Sequence, residues 1–92
     1  MTLLLKDPQA RIAHAFAWDD YADGQIVLAS EWRVTPVQDG GLSVEDAAFD
    51  LTRASATLAG GRVGQLYRVT NQVALSDGQI DERSIIVRVE ER

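Results

Sequence analysis

Cysteine is absent from the 92 residues, and its absence excludes disulfides, thiolate nucleophiles and thiolate metal sites together. Histidine occurs once, as His14, so a catalytic triad has a single candidate base. No Gly-x-Ser-x-Gly pattern supplies a nucleophile elbow to go with it. Long apolar runs are missing too. At the N-terminus Leu3-Leu4-Leu5 is closed at once by Lys6 and Asp7, too short for a signal-peptide core or a membrane span. The expectation is a protein made and kept in the cytoplasm, without membrane contact, unless it is built into something larger. Basic charge is scarce, with nine Lys and Arg against fourteen Asp and Glu for a net charge of −5. Because phosphate-backbone binding is driven by Lys and Arg, nucleic acid is not an expected partner.

The acidity is uneven. Residues 1–50 carry nine acids and three bases, net −6, whereas residues 51–92 carry five acids and six bases, net +1. Such an asymmetry suits head-to-tail contact between copies. With 46% hydrophobic and 25% charged residues, the composition is that of an ordinary globular protein. A chain of this length is expected to form one domain over residues 1–92, able to fill a compact core but not to enclose a deep active site.

Turn signals at Asp7-Pro8, Asp23-Gly24, Asp39-Gly40-Gly41, Gly60-Gly61 and Asp77-Gly78 divide the chain into strand-sized pieces. From Ile12 to Trp18 the large residues Ile12, His14, Phe16 and Trp18 alternate with Arg11, Ala13, Ala15 and Ala17, the period of a strand. From Ile26 to Val34 the pattern puts Ile26, Leu28, Ser30, Trp32 and Val34 inward and Val27, Ala29, Glu31 and Arg33 outward. Leu66 to Leu75 places Tyr67, Val69, Asn71, Val73 and Leu75 on one face. Ser84 to Glu90 places Ile85, Val87 and Val89 together. With Ser76-Asp77-Gly78-Gln79 as the turn, these last two make the clearest hairpin.

Residues 43–59 read two ways. Ser43-Val44-Glu45-Asp46 opens like a capping box, with Val44, Ala47, Ala48, Leu51, Ala54 and Leu58 at helical spacing and Gly60 as a stop. The competing reading is two short strands, around Leu42 to Val44 and Thr52 to Leu58, with Ala54, Ala56 and Leu58 inward.

Chemistry-bearing groups each have a plainer alternative. His14 lies between Ile12 and Phe16 on the presumed core face, the place of a partly buried neutral histidine rather than a base. Asp19, Asp20 and Asp23 before Gly24 offer three oxygen donors for a weak calcium contact but lack the ligand number and spacing of a calcium loop, so a solvated turn is expected. Gly60-Gly61-Arg62-Val63-Gly64 is followed by a strand, not the helix that a dinucleotide loop needs. Trp18 and Trp32 fall on large-residue faces and are expected in the core; exposed, they would be sugar-stacking platforms. No metal, cofactor or catalytic residue is expected. In the closing segment Ile86 interrupts the polar face. As an edge strand it would pair with a neighbouring subunit, with Arg88 and Glu90 registering the contact by charge; the alternative is a central strand covered on both faces.

Several pieces in order carry a resemblance: Lys6-Asp7-Pro8, then Phe16-Ala17-Trp18, Gly24-Gln25-Ile26 running into Ser30-Glu31-Trp32, Gly60-Gly61 and Gly64 leading to Tyr67-Arg68-Val69-Thr70-Asn71, and Asp81-Glu82-Arg83-Ser84. Over nearly its whole length the chain resembles small bacteriophage and prophage structural proteins labelled fibre-tail adaptors or head-tail connectors. It departs from their pattern at His14 and Ala17. The resemblance implies an all-β fold, an immunoglobulin-like or fibronectin type III-like β-sandwich of about seven antiparallel strands, and it favours the strand reading of Thr52 to Leu58. Tyr67, near the start of a late strand and just after a glycine turn, is placed to return its hydroxyl to nearby backbone as immunoglobulin-like domains do.

The implied function is that of a noncatalytic virion protein of the tail, neck or fibre-attachment region, found in the virion or in the bacterial host cytoplasm before assembly. Its expected partners are other phage structural proteins, with self-association also open. Its interface is expected at Asp19, Asp20, Asp23, Asp39 and Gly40 and at the strand residues Ile86, Arg88 and Glu90. The alternative is a carbohydrate-binding or adhesive β-sandwich module.

Overall fold

The computed structural model describes residues 2–18 and 24–91, in which seven strands are defined: β1 Thr2–Lys6, β2 Arg11–Ala17, β3 Val27–Thr35, β4 Leu42–Phe49, β5 Arg53–Gly60, β6 Leu66–Leu75 and β7 Ile80–Val89. They form two sheets, one of four strands in the order β1-β7-β6-β3 and one of three in the order β2-β5-β4. Both contribute to one core, in which Phe16, Trp18, Ala54 and Leu58 from the smaller sheet meet Tyr67, Val69, Val73, Ile85, Val87 and Val89 from the larger. The alternation of buried and outward residues that a sheet with one solvated face needs is clearest in β5 and at the end of β7. The all-β, immunoglobulin-like sandwich expected from the sequence is present.

The β6–β7 hairpin follows the sequence pattern closely: Tyr67, Val69, Asn71, Val73 and Leu75 are all buried, as are Ile85, Val87 and Val89. In residues 43–59 the helical reading is overturned. β4 and β5 pair antiparallel from Leu42↔Gly60 to Phe49↔Ala54 and bury Ala54, Ala56 and Leu58. The helical reading needed Ala47, Ala48 and Leu51 inside, and all three are exposed. The register slips between Glu45 and Ala48, where Asp46 adopts a φ of 51°, a bulge that blurs the period of two in the sequence.

Three other expectations change. A bulge lies in β3 between Val27 and Ala29. The extra residue reverses the facing of everything before it, so Val27 is buried while Ile26 and Leu28 are exposed. The strands are not all antiparallel, because β1 runs parallel to β7, from Thr2↔Ile85 to Lys6↔Val89. That pairing also makes β7 an internal strand over residues 85–89, so Ile86 and Arg88 do not lie on an open sheet edge.

Three tight connections use one device. The carboxylates of Asp7, Asp50 and Asp77 each accept from the backbone N–H two residues on, at 2.8, 2.9 and 3.0 Å, the Asx turn that makes aspartate favourable at such positions. Asp50 also accepts from Arg53 N, and the two backbone bonds hold its carboxyl below the usual carboxylate range. In the β5–β6 connection Gly61 has a φ of 107°, and a Cβ there would stand 2.6 Å from Val89 Cγ2. Only glycine satisfies both the backbone angle and the close approach.

Candidate interaction surfaces

Beneath the surface the sandwich is cross-tied by polar groups. Trp18, wholly buried, donates from Nε1 to Asn71 Oδ1 at 2.9 Å, and Asn71 Nδ2 donates to Ser30 Oγ and to Glu31 O at 2.8 and 3.0 Å. The Tyr67 ring is wholly buried; its hydroxyl accepts from Arg62 N at 2.9 Å and donates to Gln38 Oε1 at 2.5 Å. Lys6 is buried, with Nζ donating to Gly60 O and Asp7 O at 2.8 and 3.0 Å. Loss of hydration pushes its pKa down, against the opposing charge of Asp7. Arg83 closes the gap between the sheets. Its guanidinium carbon stands 5.0 Å from the Phe16 ring centre and 5.8 Å from that of Trp18, and Nη1 donates to Ala17 O.

Neither tryptophan presents an open platform. Trp18 has no exposure, and Trp32 is half-buried and stacked on Phe16 at 5.7 Å. Trp32 Nε1 is buried without a hydrogen-bond partner among the described residues. His14 meets Phe16 edge-on at 5.0 Å. Burial, with the charge of Arg83 added, lowers its pKa from the ordinary histidine value. Among the described residues no three carboxylate or histidine side chains gather as metal ligands.

The acidic loop residues Asp19, Asp20 and Asp23, and with them the calcium reading, lie outside the described residues. Asp39 and Gly40 are exposed in the β3–β4 connection, where Asp39 O accepts from Arg62 Nε at 2.7 Å. Arg88 is exposed and pairs with Glu90 at 3.0 Å; Ile86 is half-buried. The structure therefore splits the expected interface between one end of the sandwich and the outer face of the larger sheet.

That outer face is laid out in rows by the strand registers. Leu5, Arg88 and Leu66 lie side by side across β1, β7 and β6; the next row is Leu3, Ile86, Arg68 and Thr35; then Ser84, Thr70 and Arg33; then Glu82, Gln72 and Glu31; and finally Ile80, Ala74 and Ala29. Leu3, Leu5, Leu66 and Ile80 are exposed by 58, 40, 52 and 67%. Arg33 reaches across β6 to Glu82 at 2.8 Å. A depression at the last rows is lined by Ala29, Glu31, Gln72, Val73, Ala74 and Ile80. The outer face of the smaller sheet carries mainly small residues, spanned by the Arg11–Glu45 bridge at 2.7 Å, with a second depression beside Phe49 and Arg53.

Sequence reasoning passed over β1, Lys6, Asn71 as a hydrogen-bonding centre, and Arg83. The alternation was there to find: Leu4 and Lys6 share the inward phase of β1, and Arg83 is in phase with Ile85, Val87 and Val89.

The two-sheet sandwich with its solvent-open faces is a noncatalytic β-sandwich module of protein–protein contact. The chain belongs to the family described as Podophage GP4 fiber-tail adaptor protein gp77, whose model matches residues 6–88. Among solved structures it is similar to the solution structure of the PKD domain from KIAA 1837 protein, at 21% identity and a TM-score of 0.64, over 99% of this chain and 80% of that one. That likeness shows the fold. No curated protein sequence matches the chain. No helix among the described residues is long and apolar enough to cross a membrane.

Proposed function

We propose that this domain is an adhesive β-sandwich that joins protein components, and that its setting is the tail of a phage particle where the fibres attach. The observation that carries the adhesive reading is the outer face of the four-stranded sheet, where Leu3, Leu5, Leu66 and Ile80 stand exposed around charged residues. Scattered exposed leucines are ordinary, but several on one flat face suit a protein partner. An adhesive module outside any virion needs only the sandwich, which the likeness to the PKD domain supports; the virion setting rests on the family match alone. In that setting the partners are other phage structural proteins, and the chain resides in the virion or in the host cytoplasm before assembly. Asp39 and Gly40 form one proposed contact region and Ile86, Arg88 and Glu90 a second; Asp19, Asp20 and Asp23, outside the described residues, are proposed as further contacts.

The test is to purify particles from a host that carries this gene, quantify the chain in them by mass spectrometry and locate it with a labelled antibody. Label at the tail and a fixed copy number per particle are expected. Absence from particles, together with binding of the purified domain to a glycan, overturns the virion setting in favour of the carbohydrate-binding module. Charge reversal of Asp39 is expected to leave the fold intact and to impair assembly; normal assembly moves the contact elsewhere.

A further inference from the structure

We propose that the outer face of the four-stranded sheet binds a second copy of this chain, face to face with strands antiparallel, about a two-fold axis along the row Ser84, Thr70 and Arg33. This rests on the domain being a protein-binding module but not on the virion setting. The test uses the purified chain alone, so its failure leaves that setting untouched.

The argument is that the face is complementary to itself. Rotation about that row sets the first row against the last and the second against the fourth, with each strand facing its own counterpart. Leu66 then stands over Ala74 of the second copy, at the depression that Ala29, Ala74 and Ile80 help to line. Arg68 stands over Gln72, between Glu31 and Glu82 of the other copy. Every such contact occurs twice, as an isologous interface requires. Arg88, Arg68 and Arg33 occupy the first three rows and Glu82 and Glu31 the fourth, so the second row meets opposite charge, while on the axis Arg33 faces its own counterpart, each already paired with Glu82 of its own copy at 2.8 Å. A copy placed with strands parallel about an axis along them sets rows of like sign together, which disfavours that arrangement. Among the described residues β1 pairs with β7 only from Thr2↔Ile85 to Lys6↔Val89, and the rotation sets Leu5 beside Ile80 and Leu3 beside Glu82 of the opposite copy.

Four strands about 4.8 Å apart and nine residues rising about 3.3 Å each give a flat face of roughly 500 Å² per copy. Specific interfaces start near 600 Å² per partner, so the dimer is expected to be weak, with a Kd of about 10–100 µM.

Sedimentation equilibrium from about 10 µM to about 1 mM brackets that range. A monomer–dimer equilibrium is expected for the unaltered chain. Leu66→Asp and Arg68→Glu should each raise the Kd by about tenfold or more, while far-UV circular dichroism and the urea midpoint stay those of the unaltered protein, since both side chains are exposed. Glu31→Arg should act like Arg68→Glu, and an equimolar mixture of these two variants should associate more strongly than either alone. Arg11→Glu, on the opposite sheet, should change nothing. A chain that is monomeric throughout, a dimer indifferent to Leu66→Asp and Arg68→Glu, or a mixture with no gain over its components overturns the proposal.

Discussion

Trp18 Nε1 and Asn71 Oδ1 meet at 2.9 Å with both side chains wholly buried, although 53 positions separate them. The bond ties the end of β2 to the middle of β6, and so one sheet to the other. Asn71 has three partners and leaves no polar atom of its side chain unpaired. Replacing it with leucine strands the indole N–H, Ser30 Oγ and Glu31 O where water cannot reach freely. The expected loss is about 2–4 kcal/mol, from one orphaned buried donor and two weakened acceptors. Urea unfolding followed by tryptophan emission measures it. A double-mutant cycle with Trp18→Phe should show coupling above about 0.5 kcal/mol, and additive losses would mean that the bond does not link the sheets.

Tyr67→Phe keeps the buried ring and removes only the hydroxyl, which joins Arg62 N to Gln38 Oε1. The expected cost is about 1–3 kcal/mol. The effect should be local as well as global. Amide exchange at Arg62 should accelerate more than at Val73 or Val87, because this oxygen takes the Arg62 N–H and, with the Arg62 Nε–Asp39 O bond, ties the β5–β6 connection to the β3–β4 connection. Uniform acceleration would show that the hydroxyl serves only overall stability.

Lys6 is the only lysine in the chain, and it is buried with its ammonium on two backbone carbonyls. An amine-reactive ester at neutral pH should therefore leave Lys6 of the folded protein unmodified and reach it only on unfolding, as peptide mass mapping would show. The lowered pKa sets a pH dependence. Between the folded value and the ordinary 10.5, the unfolded chain holds more protons, so stability rises with pH across that window. In Lys6→Met this alkaline gain should vanish. A gain of equal size in the variant would assign it to another group.

The parts of this fold that the sequence made legible are those where period two runs unbroken against large side chains. β6 and β7 show it best, since Val69, Val73, Ile85 and Val87 leave no second phase to choose. The phase failed at β3 because the bulged residue Leu28 is as apolar as its buried neighbour Val27, and nothing in composition marks the slip. β4 and β5 were ambiguous because alanine suits a helix as well as a narrow inter-sheet space; only pairing, a long-range property, decides. β1 was hidden by its brevity, and its lysine read as the end of an apolar run rather than as a buried donor. The contact face was harder still. Leu3, Leu66, Ile80 and Ile86 are far apart in the chain, and only the registers of β1, β6 and β7 bring them to one surface.

His14 offers a reporter of the gap between the sheets, because it is the chain's only histidine and both influences on it act in one direction. Burial disfavours its charged form first, and the Arg83 guanidinium adds to this. Around it stand Phe16 on its own strand and Arg83 from β7, with Ala56 as its register partner on β5. An NMR titration of the imidazole should give a midpoint below the ordinary 6.5. As pH falls from 6.5 through that lowered midpoint, the unfolded chain takes up its proton first, so stability declines across the window. Arg83→Met keeps part of the stacking over Phe16 and removes the charge, and it should move the midpoint back toward 6.5 without fully restoring it, because burial remains. A midpoint unmoved by Arg83→Met would show that burial alone sets the value. A midpoint at or above 6.5 in the unaltered protein would mean that His14 is solvated and that β2 stands further from β7 than described.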